Sequence, residues 1–256
     1  ITYVSKIRQA YKGVAVIVGG IEASLRRFSH YDYWSNKVRK SILLDCKADL
    51  LLYGMGEHSI LEVADLLAKG VPVREIRNVR GSCWYTSKES EIPLKDENDN
   101  SPIFLPSFEE ISAQTDESKT EFAKSFVIQE QNTDSINACI LVEKADSRFV
   151  VQNKPALPLS TDEFDKVMEL PYTRRWHPMY DKPASNGKTG VPALAEVQFS
   201  LTSVRGCFGA CSFCAITFHQ GRRIQARSHE SLVKEAEKLT KLPDFKGYIH
   251  DVGGPT

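Results

Sequence analysis

The sequence has no long apolar run and no excess of charge of either sign. No hydrophobic segment approaches the roughly 18 residues of a membrane-spanning helix, so no such helix is expected. Lys plus Arg and Asp plus Glu number 33 each, so the chain has no overall field that would attract nucleic acid or an acidic membrane. A balanced total charge does not exclude a local basic patch, so the composition leaves nucleic-acid binding undetermined.

The sequence also lacks an initiator methionine and any visible signal peptide. It begins with Ile1 inside a helical pattern and stops at Thr256, directly after a strand-like segment. We therefore expect a fragment of a longer protein that carries only part of a functional site.

Cysteine is scarce over the first 200 residues, where only Cys46, Cys83 and Cys139 occur. Cysteines scattered this thinly do not form the disulfide framework of a secreted domain. We expect each of them to be a small buried hydrophobic residue in a protein of the cytoplasm.

Residues 1–85 alternate between helical and strand patterns. A helix is predicted over 2–12, and the apolar runs 14–18 and 48–54 are typical of strands buried on both faces. Strand–helix–strand alternation favours a parallel sheet with helices on its faces.

A further helix is predicted over 58–69, and a strand is expected to start within 71–76. The expected apolar stripe of that helix consists of Ile60, Leu61, Ala64, Leu67 and Ala68.

Residues 86–170 have a different character and are predicted to form a mixed α+β insertion. An exposed charged loop leads into helical sequence, and the apolar runs 136–144 and 148–154 favour a hairpin. Ser160 followed by Glu163 fits a capping box that opens a short helix. The proline-rich residues 171–195 are interpreted as a linker between domains.

From residue 196 to 256 the pattern reads as one βαβ unit. A strand over 196–203 would place Val197, Phe199 and Leu201 on one face, and a helix would begin after Ser228. A second strand over 247–252 would end at a glycine pair, Gly253 and Gly254.

Three cysteines crowd the loop after the first of these strands. Cys207, Cys211 and Cys214 have the spacing Cys-x3-Cys-x2-Cys, and clustered thiolates indicate a soft metal ion or an iron–sulfur cluster. Three thiolates leave one iron of a 4Fe-4S cubane open to another ligand. The alternative is a closed zinc site with His219 as the fourth ligand, in a module that binds but does not catalyse.

This spacing, with Phe213 just before the last cysteine and a βα unit around it, resembles the radical S-adenosylmethionine (SAM) superfamily. The resemblance implies that the open iron chelates the methionine part of SAM and that one electron cleaves its carbon–sulfur bond. The resulting 5'-deoxyadenosyl radical would abstract hydrogen from an unknown substrate. It also implies that Phe213 packs near the adenine and that Gly253 and Gly254 contact the methionine, although Pro255 stands where such proteins often carry Glu.

The segments around this motif, together with IVGGIEASLRRFSHYDYW upstream, resemble the YgiQ-type radical SAM family. This implies an α/β fold: a Rossmann-like, cobalamin-binding-like N-terminal domain, then the start of a partial TIM-type barrel. It also implies a cytoplasmic radical SAM enzyme with an electron donor such as flavodoxin or ferredoxin. Cobalamin stays possible but unsupported, because no Asp-x-His-x2-Gly signature is present.

Several other features permit a functional and a structural interpretation. The glycines that follow the predicted strands at 14–18 and 48–54 could approach a ligand or could make tight turns. Arg222, Arg223 and Arg227 could bind a carboxylate or phosphate, or could form a solvated basic edge. The segment 173–181 mixes arginine with aromatic residues. It could form a surface on which RNA bases stack, or a linker that packs its rings on the adjoining domain.

Overall fold

The structure, a computed structural model, describes residues 1–254. The prediction for Pro255 and the last two positions of the predicted domain 196–256 lie outside the described residues. The helices are α1 (Thr2–Ala10), α2 (Ile21–Leu25), α3 (Ile42–Cys46), α4 (Glu57–Ala68), α5 (Phe108–Ser112), α6 (Asp116–Gln131), α7 (Thr161–Met168), α8 (Leu194–Val197), α9 (Ile216–Gln220) and α10 (His229–Thr240). The strands are β1 (Ile17–Val18), β2 (His30–Asp32), β3 (Lys37–Arg39), β4 (Leu50–Leu52), β5 (Ser82–Thr86), β6 (Ile103–Phe104), β7 (Leu141–Ala145), β8 (Arg148–Gln152), β9 (Ser200–Thr202), β10 (Val204–Arg205), β11 (Gln225–Ala226) and β12 (Asp251–Gly253).

The contacts divide the chain into two compact units. Unit 1 comprises Ile1–Leu157 and Phe208–Arg222, and unit 2 comprises Pro158–Cys207 and the residues from Arg223 onward. This division differs from the predicted boundaries, because residue 85 lies inside β5 and the expected insertion supplies further strands to the same sheet. The cysteine loop also crosses from one unit to the other.

Unit 1 is built on a six-stranded mixed sheet in the order β1-β4-β5-β8-β7-β6. The pairs β1–β4 and β6–β7 are parallel, whereas β4–β5, β5–β8 and β7–β8 are antiparallel. The α/β class is therefore confirmed, and so is the predicted hairpin, which is β7–β8. Within residues 1–86 the expected parallel arrangement holds for β1–β4 only, because β5 pairs antiparallel with β4.

Three predictions of local structure in unit 1 need correction. The run 14–18 gives only the two half-buried residues of β1, because this strand lies at an edge of the sheet. The segment 71–76 forms a 3-10 turn over Val73–Glu75 after Pro72 instead of a strand. The expected stripe of α4 is also displaced: Ile60 and Leu61 are 46% and 65% exposed.

The buried face of α4 starts at Ser59 and Val63 and continues through Leu66 and Leu67, which pack against the core. These positions recur three and four residues apart, so they share one side of the helix. Through Val63 that side belongs to the main core of unit 1, whose other buried members are Leu50, Leu52, Ile76, Val79, Trp84, Ile92, Ile140, Val142 and Val151.

Unit 2 contains a βαβ unit as predicted, but its second strand β12 covers only the end of the expected 247–252 and includes Gly253. The strands β9 and β12 pair in parallel, and α10 connects them along the chain. Ser228 caps α10 as expected, with its side chain accepting a hydrogen bond from the Ser231 N–H. The first predicted strand is shorter than expected, because Val197 belongs to α8 and is 60% exposed, while Phe199 and Leu201 are buried.

The predicted linker 171–195 is packed on unit 2. The Arg174 side chain forms an ion pair with Glu235 of α10 and donates to the Gln198 carbonyl at 3.0 Å. Arg174 therefore serves unit 2 as a structural residue. Among the described residues no helix combines the length and the apolar character that crossing a membrane requires.

Candidate metal centre

The cysteine loop starts and ends at a short antiparallel pair. Val204 and Arg205 of β10 face Ala226 and Gln225 of β11, so the ends of the loop are held side by side. Gly206 follows β10 with a φ of +83°, and a Cβ there would lie 2.0 Å from the Arg223 carbonyl oxygen. Only glycine fits this position, because both the backbone conformation and the space exclude a side chain.

The three cysteines lie on different parts of this loop. Cys207 follows Gly206 and belongs to unit 2, whereas Cys211 and Cys214 belong to unit 1. The Cys214 N–H donates to the Cys211 carbonyl at 2.9 Å, which closes a turn that includes Ser212 and Phe213. Cys211 is exposed, and Cys207 and Cys214 are half-buried.

No group of three or more His, Cys, Asp or Glu side chains within residues 1–254 is arranged to hold a metal ion. The role of Cys207, Cys211 and Cys214 as ligands therefore stays a prediction. Their chemistry fits an iron–sulfur cluster, because they are thiols on an accessible loop and no disulfide joins any of the six cysteines.

The second half of the loop is attached to unit 1 through α9. The Phe218 ring stacks on Phe126, with ring centroids 5.1 Å apart, and lies 5.2 Å from the guanidinium carbon of Arg27. His219 Nδ1 lies 2.9 Å from Ser24 Oγ. These contacts fix the helix that begins two residues after Cys214.

Ser24 connects this helix to the turn after β4. Its side chain is fully buried, and its hydroxyl oxygen accepts a hydrogen bond from the Gly54 N–H at 2.9 Å. A Cβ on Gly54 would lie 3.3 Å from the His219 carbonyl oxygen. Gly54 thus acts as a close-packed turn, and His219, the fourth ligand of the zinc alternative, is engaged with Ser24.

Arg27 is a buried cation at the base of this attachment. Its Nε donates to Gln152 Oε1 at 2.5 Å and its guanidinium stacks on Tyr53 as well as Phe218. No carboxylate within the described residues forms an ion pair with it, and burial lowers its pKa. Cation–π contacts and amide hydrogen bonds therefore stabilise this charge in place of a counter-ion.

The arginines after the cysteines are structural. Arg222 donates to Thr133 Oγ1 at 3.0 Å and forms an ion pair with Glu130. Arg227 is buried, donates to Ser231 Oγ at 2.7 Å and pairs with Glu235. Arg227 is therefore not part of a solvated edge, whereas the Arg222 side chain stays about one-third exposed beside its partners.

The predicted glycine pair lies at the carboxyl end of β12. The Gly253 carbonyl accepts a hydrogen bond from the Ser203 N–H at 2.9 Å, which extends the pairing with β9. A Cβ on Gly254 would lie 2.1 Å from Val204 Cγ2 and 2.6 Å from the Val204 carbonyl oxygen. Gly254 therefore packs directly against the residue that starts β10, within the same unit as Cys207.

Two of the remaining three cysteines are buried as expected, and Cys139 is the exception. Cys46 and Cys83 are buried and Cys139 is half-buried. Burial raises the pKa of Cys83 to about 12, so its thiol stays protonated and does not compete for metal.

Sequence reasoning did not identify the residues that hold α9. Ser24 and Arg27 lie about 190 residues before the loop, in IEASLRRFSH, where two adjacent arginines look equivalent. Only the fold shows that Arg27 is 2% exposed, whereas Arg26 forms an i,i+4 ion pair with Glu22.

This chain is similar to one family model and to curated proteins of two Clostridium species. The family model described as "Radical SAM N-terminal" matches residues 1–200. A UPF0313 protein of Clostridium botulinum (strain 657 / Type Ba4) is 53% identical over all 256 residues, and one of Clostridium perfringens (strain 13 / Type A) is 52% identical over the same length. The chain spans 38% and 36% of these two curated relatives.

Proposed function

Because this chain belongs to the radical SAM N-terminal family, we propose that the intact protein is a radical SAM enzyme whose cluster is held by Cys207, Cys211 and Cys214. The observation that carries the proposal is the position of the three thiols. They occupy one loop that leaves the first strand of a parallel βαβ unit. The match to the family ends before Cys207, so the cysteines are independent support from this chain itself.

The donor set suits a 4Fe-4S cluster with one open iron. Three thiolates bind three irons, and a fourth cysteine is absent from the loop. Cys211 is exposed and Cys207 and Cys214 are half-buried, so none of the three thiols is closed off from an incoming cluster. Coupling between metal binding and local folding is common in such sites.

When bound, a reduced cluster supplies one electron, with which the carbon–sulfur bond of SAM breaks to give methionine and a 5'-deoxyadenosyl radical. Residues of this chain would bind the cofactor around that bond. We assign Gly253 and Gly254 to the methionine part, because they stand at the carboxyl end of β12, where the family resemblance places the glycine turn that contacts it. We assign Phe213 to the adenine, because its ring is 91% exposed beside Cys214.

The proposal retains a Rossmann-like ancestry for unit 1 and a barrel that begins with β9 and β12. Cobalamin is not part of it. The reductant would be a flavodoxin or ferredoxin, and the substrate is unassigned. A cytoplasmic setting agrees with six cysteines that form no disulfide in the described chain.

Anaerobic reconstitution of the intact protein tests the proposal. The wild type should bind about one 4Fe-4S cluster per chain and, once reduced, convert SAM to 5'-deoxyadenosine. Cys211→Ala should lose both properties, whereas the matched control Cys139→Ala, half-buried and outside the loop, should keep them. Colourless zinc-loaded protein that leaves SAM intact would support the alternative, a binding module without catalysis.

A further inference from the structure

Unit 1 contains a pocket of about 330 Å³ that Cys214 lines on one side. The other walls come from the start of β2, from α6 and from α9. The loop that holds Phe213, the residue we assign to the adenine of SAM, also lines the pocket, whereas Gly253 and Gly254 do not. The volume lies at the lower end of the range for small-molecule sites, so the pocket suits one ring system and not a large ligand.

Aromatic side chains dominate the pocket. Tyr31, Phe122, Phe126, Phe213 and Phe218 all line it, and Phe126 is 49% exposed although it stacks on Phe218. Exposed ring faces around a concave site are a platform on which a flat ring can stack.

The polar groups of the pocket are neutral. No Lys, Arg, Asp or Glu lines it. His30 Nδ1 donates to the Phe28 carbonyl at 3.2 Å, which leaves Nε2 as an acceptor, and burial lowers the pKa of this imidazole. The side-chain Nε2 of Gln129 donates to Ser125 Oγ at 3.2 Å, while its side-chain Oε1 makes no hydrogen bond within the described residues.

One wall is also held rigidly. Ser29 lines the pocket, and its backbone N–H and hydroxyl both donate to the buried carboxyl of Glu143, at 2.9 and 2.6 Å. The Ser29 oxygen can then only accept a further hydrogen bond from a ligand. Together with His30 and Gln129 it offers a fixed, uncharged set of acceptors to the edge of a bound ring.

We propose that this pocket binds the heteroaromatic ring of the substrate, a neutral ring of the size and polarity of a nucleobase. Aromatic faces would stack on the ring, and the neutral acceptors would bind its N–H groups. Charged groups such as phosphate find no partner among the lining residues. The assignment to substrate rests on the proposed function, because it depends on the pocket's contact with a predicted cluster ligand.

Ligand-observed NMR on the intact protein without cluster tests the binding step. The probes are adenosine, guanosine, cytidine and uridine, each compared with its 5'-monophosphate. At least one nucleoside should bind, and addition of the phosphate should not strengthen binding. Phe126→Ala should weaken it at least fivefold, Phe126→Tyr should restore it, and Phe104→Ala, an exposed phenylalanine outside the pocket, should leave it unchanged.

Competition with SAM separates the two sources of such a ring. In the intact protein reconstituted with its cluster, SAM should not displace the bound nucleoside, and Phe126→Ala should leave SAM affinity within twofold of wild type. Displacement by SAM would identify the pocket as an adenine site and overturn the proposal, as would failure of every nucleoside to bind. If the nucleoside binds but reconstituted protein makes no 5'-deoxyadenosine, the proposed function fails and the ring-binding pocket stands.

Discussion

Glu143 gives the sharpest prediction about stability. It is fully buried in β7, accepts two hydrogen bonds from Ser29 and forms no ion pair within the described residues. Burial is the main reason that its pKa rises from 4.5 to about 7, and the hydrogen bonds from Ser29 oppose that rise. The charge of Glu109 adds to it.

The direction of the pH effect follows from proton linkage. Below about pH 4.5 the carboxyl is protonated in both states, so the folded state has its full stability. As the pH rises from 4.5 to about 7 the unfolded chain loses this proton more readily, and the free energy of unfolding falls. Above pH 7 the loss is complete and amounts to about 3 kcal/mol, the equivalent of this pKa difference.

Glu143→Gln removes the titration while keeping the shape of the side chain. We expect the variant to match wild type near pH 4 and to exceed it by up to about 3 kcal/mol at pH 8. The assay is urea unfolding of the intact protein at several pH values. The free energy of unfolding is obtained from hydrogen exchange of the peptide that contains β7 and β8. Glu62→Gln, an exposed carboxylate of α4, is the control. An equal fall in stability for wild type and Glu143→Gln between pH 5 and 8 would refute the reasoning.

Three further predictions concern the cysteine loop and its surroundings. Gly206→Ala should destabilise the β10–β11 pair by about 3 kcal/mol or more, because its Cβ meets the Arg223 carbonyl, and should reduce the iron bound per chain. The control variant Gly56→Ala, whose Cβ would have no atom within 4 Å, should bind iron normally. Ser24→Ala should destabilise the attachment of α9 by about 1–3 kcal/mol, so hydrogen exchange of residues 208–222 should accelerate, and an unchanged rate would contradict the proposed attachment. Gly254→Ala should increase proteolysis near the carboxyl ends of β9 and β12 and weaken SAM binding about tenfold or more. The control Gly253→Ala, whose added Cβ has its nearest atom 3.6 Å away, should keep the protease resistance of wild type.

Local structure with a short-range cause could be predicted from the sequence. The capping box of Ser160 and Glu163 opens α7, and the apolar runs around Ala145 form the β7–β8 hairpin. The βαβ unit was also predictable, because Ser228 marks the start of α10 and each flanking strand ends at small or polar residues. Such signals lie within a few residues of one another.

Features that depend on distant partners could not be predicted. The sequence of α4 offers two apolar faces, and the core selects Val63 instead of Leu61. The mixed character of the sheet depends on the pairing of β5 with β8, which joins residues about 65 positions apart. Propensity and periodicity carry no information on such pairings.

The same limit applies to the candidate site. The spacing of Cys207, Cys211 and Cys214 is visible in the sequence, as is the glycine pair. The attachment of the loop is not visible, because the contact between Ser24 and His219 spans 195 positions. The partners of Arg222 and Arg227 are not visible either, because these carboxylates come from α6 and α10, and charge alone does not reveal a paired arginine.

Electron paramagnetic resonance of the reduced, reconstituted intact protein tests the central claim most directly, because it reports the cluster and its open iron together. The account predicts a 4Fe-4S signal whose g values shift when SAM is added and which disappears in Cys207→Ala, Cys211→Ala and Cys214→Ala. A signal that is insensitive to SAM, or a full cluster retained by any of these three variants, would contradict the assignment.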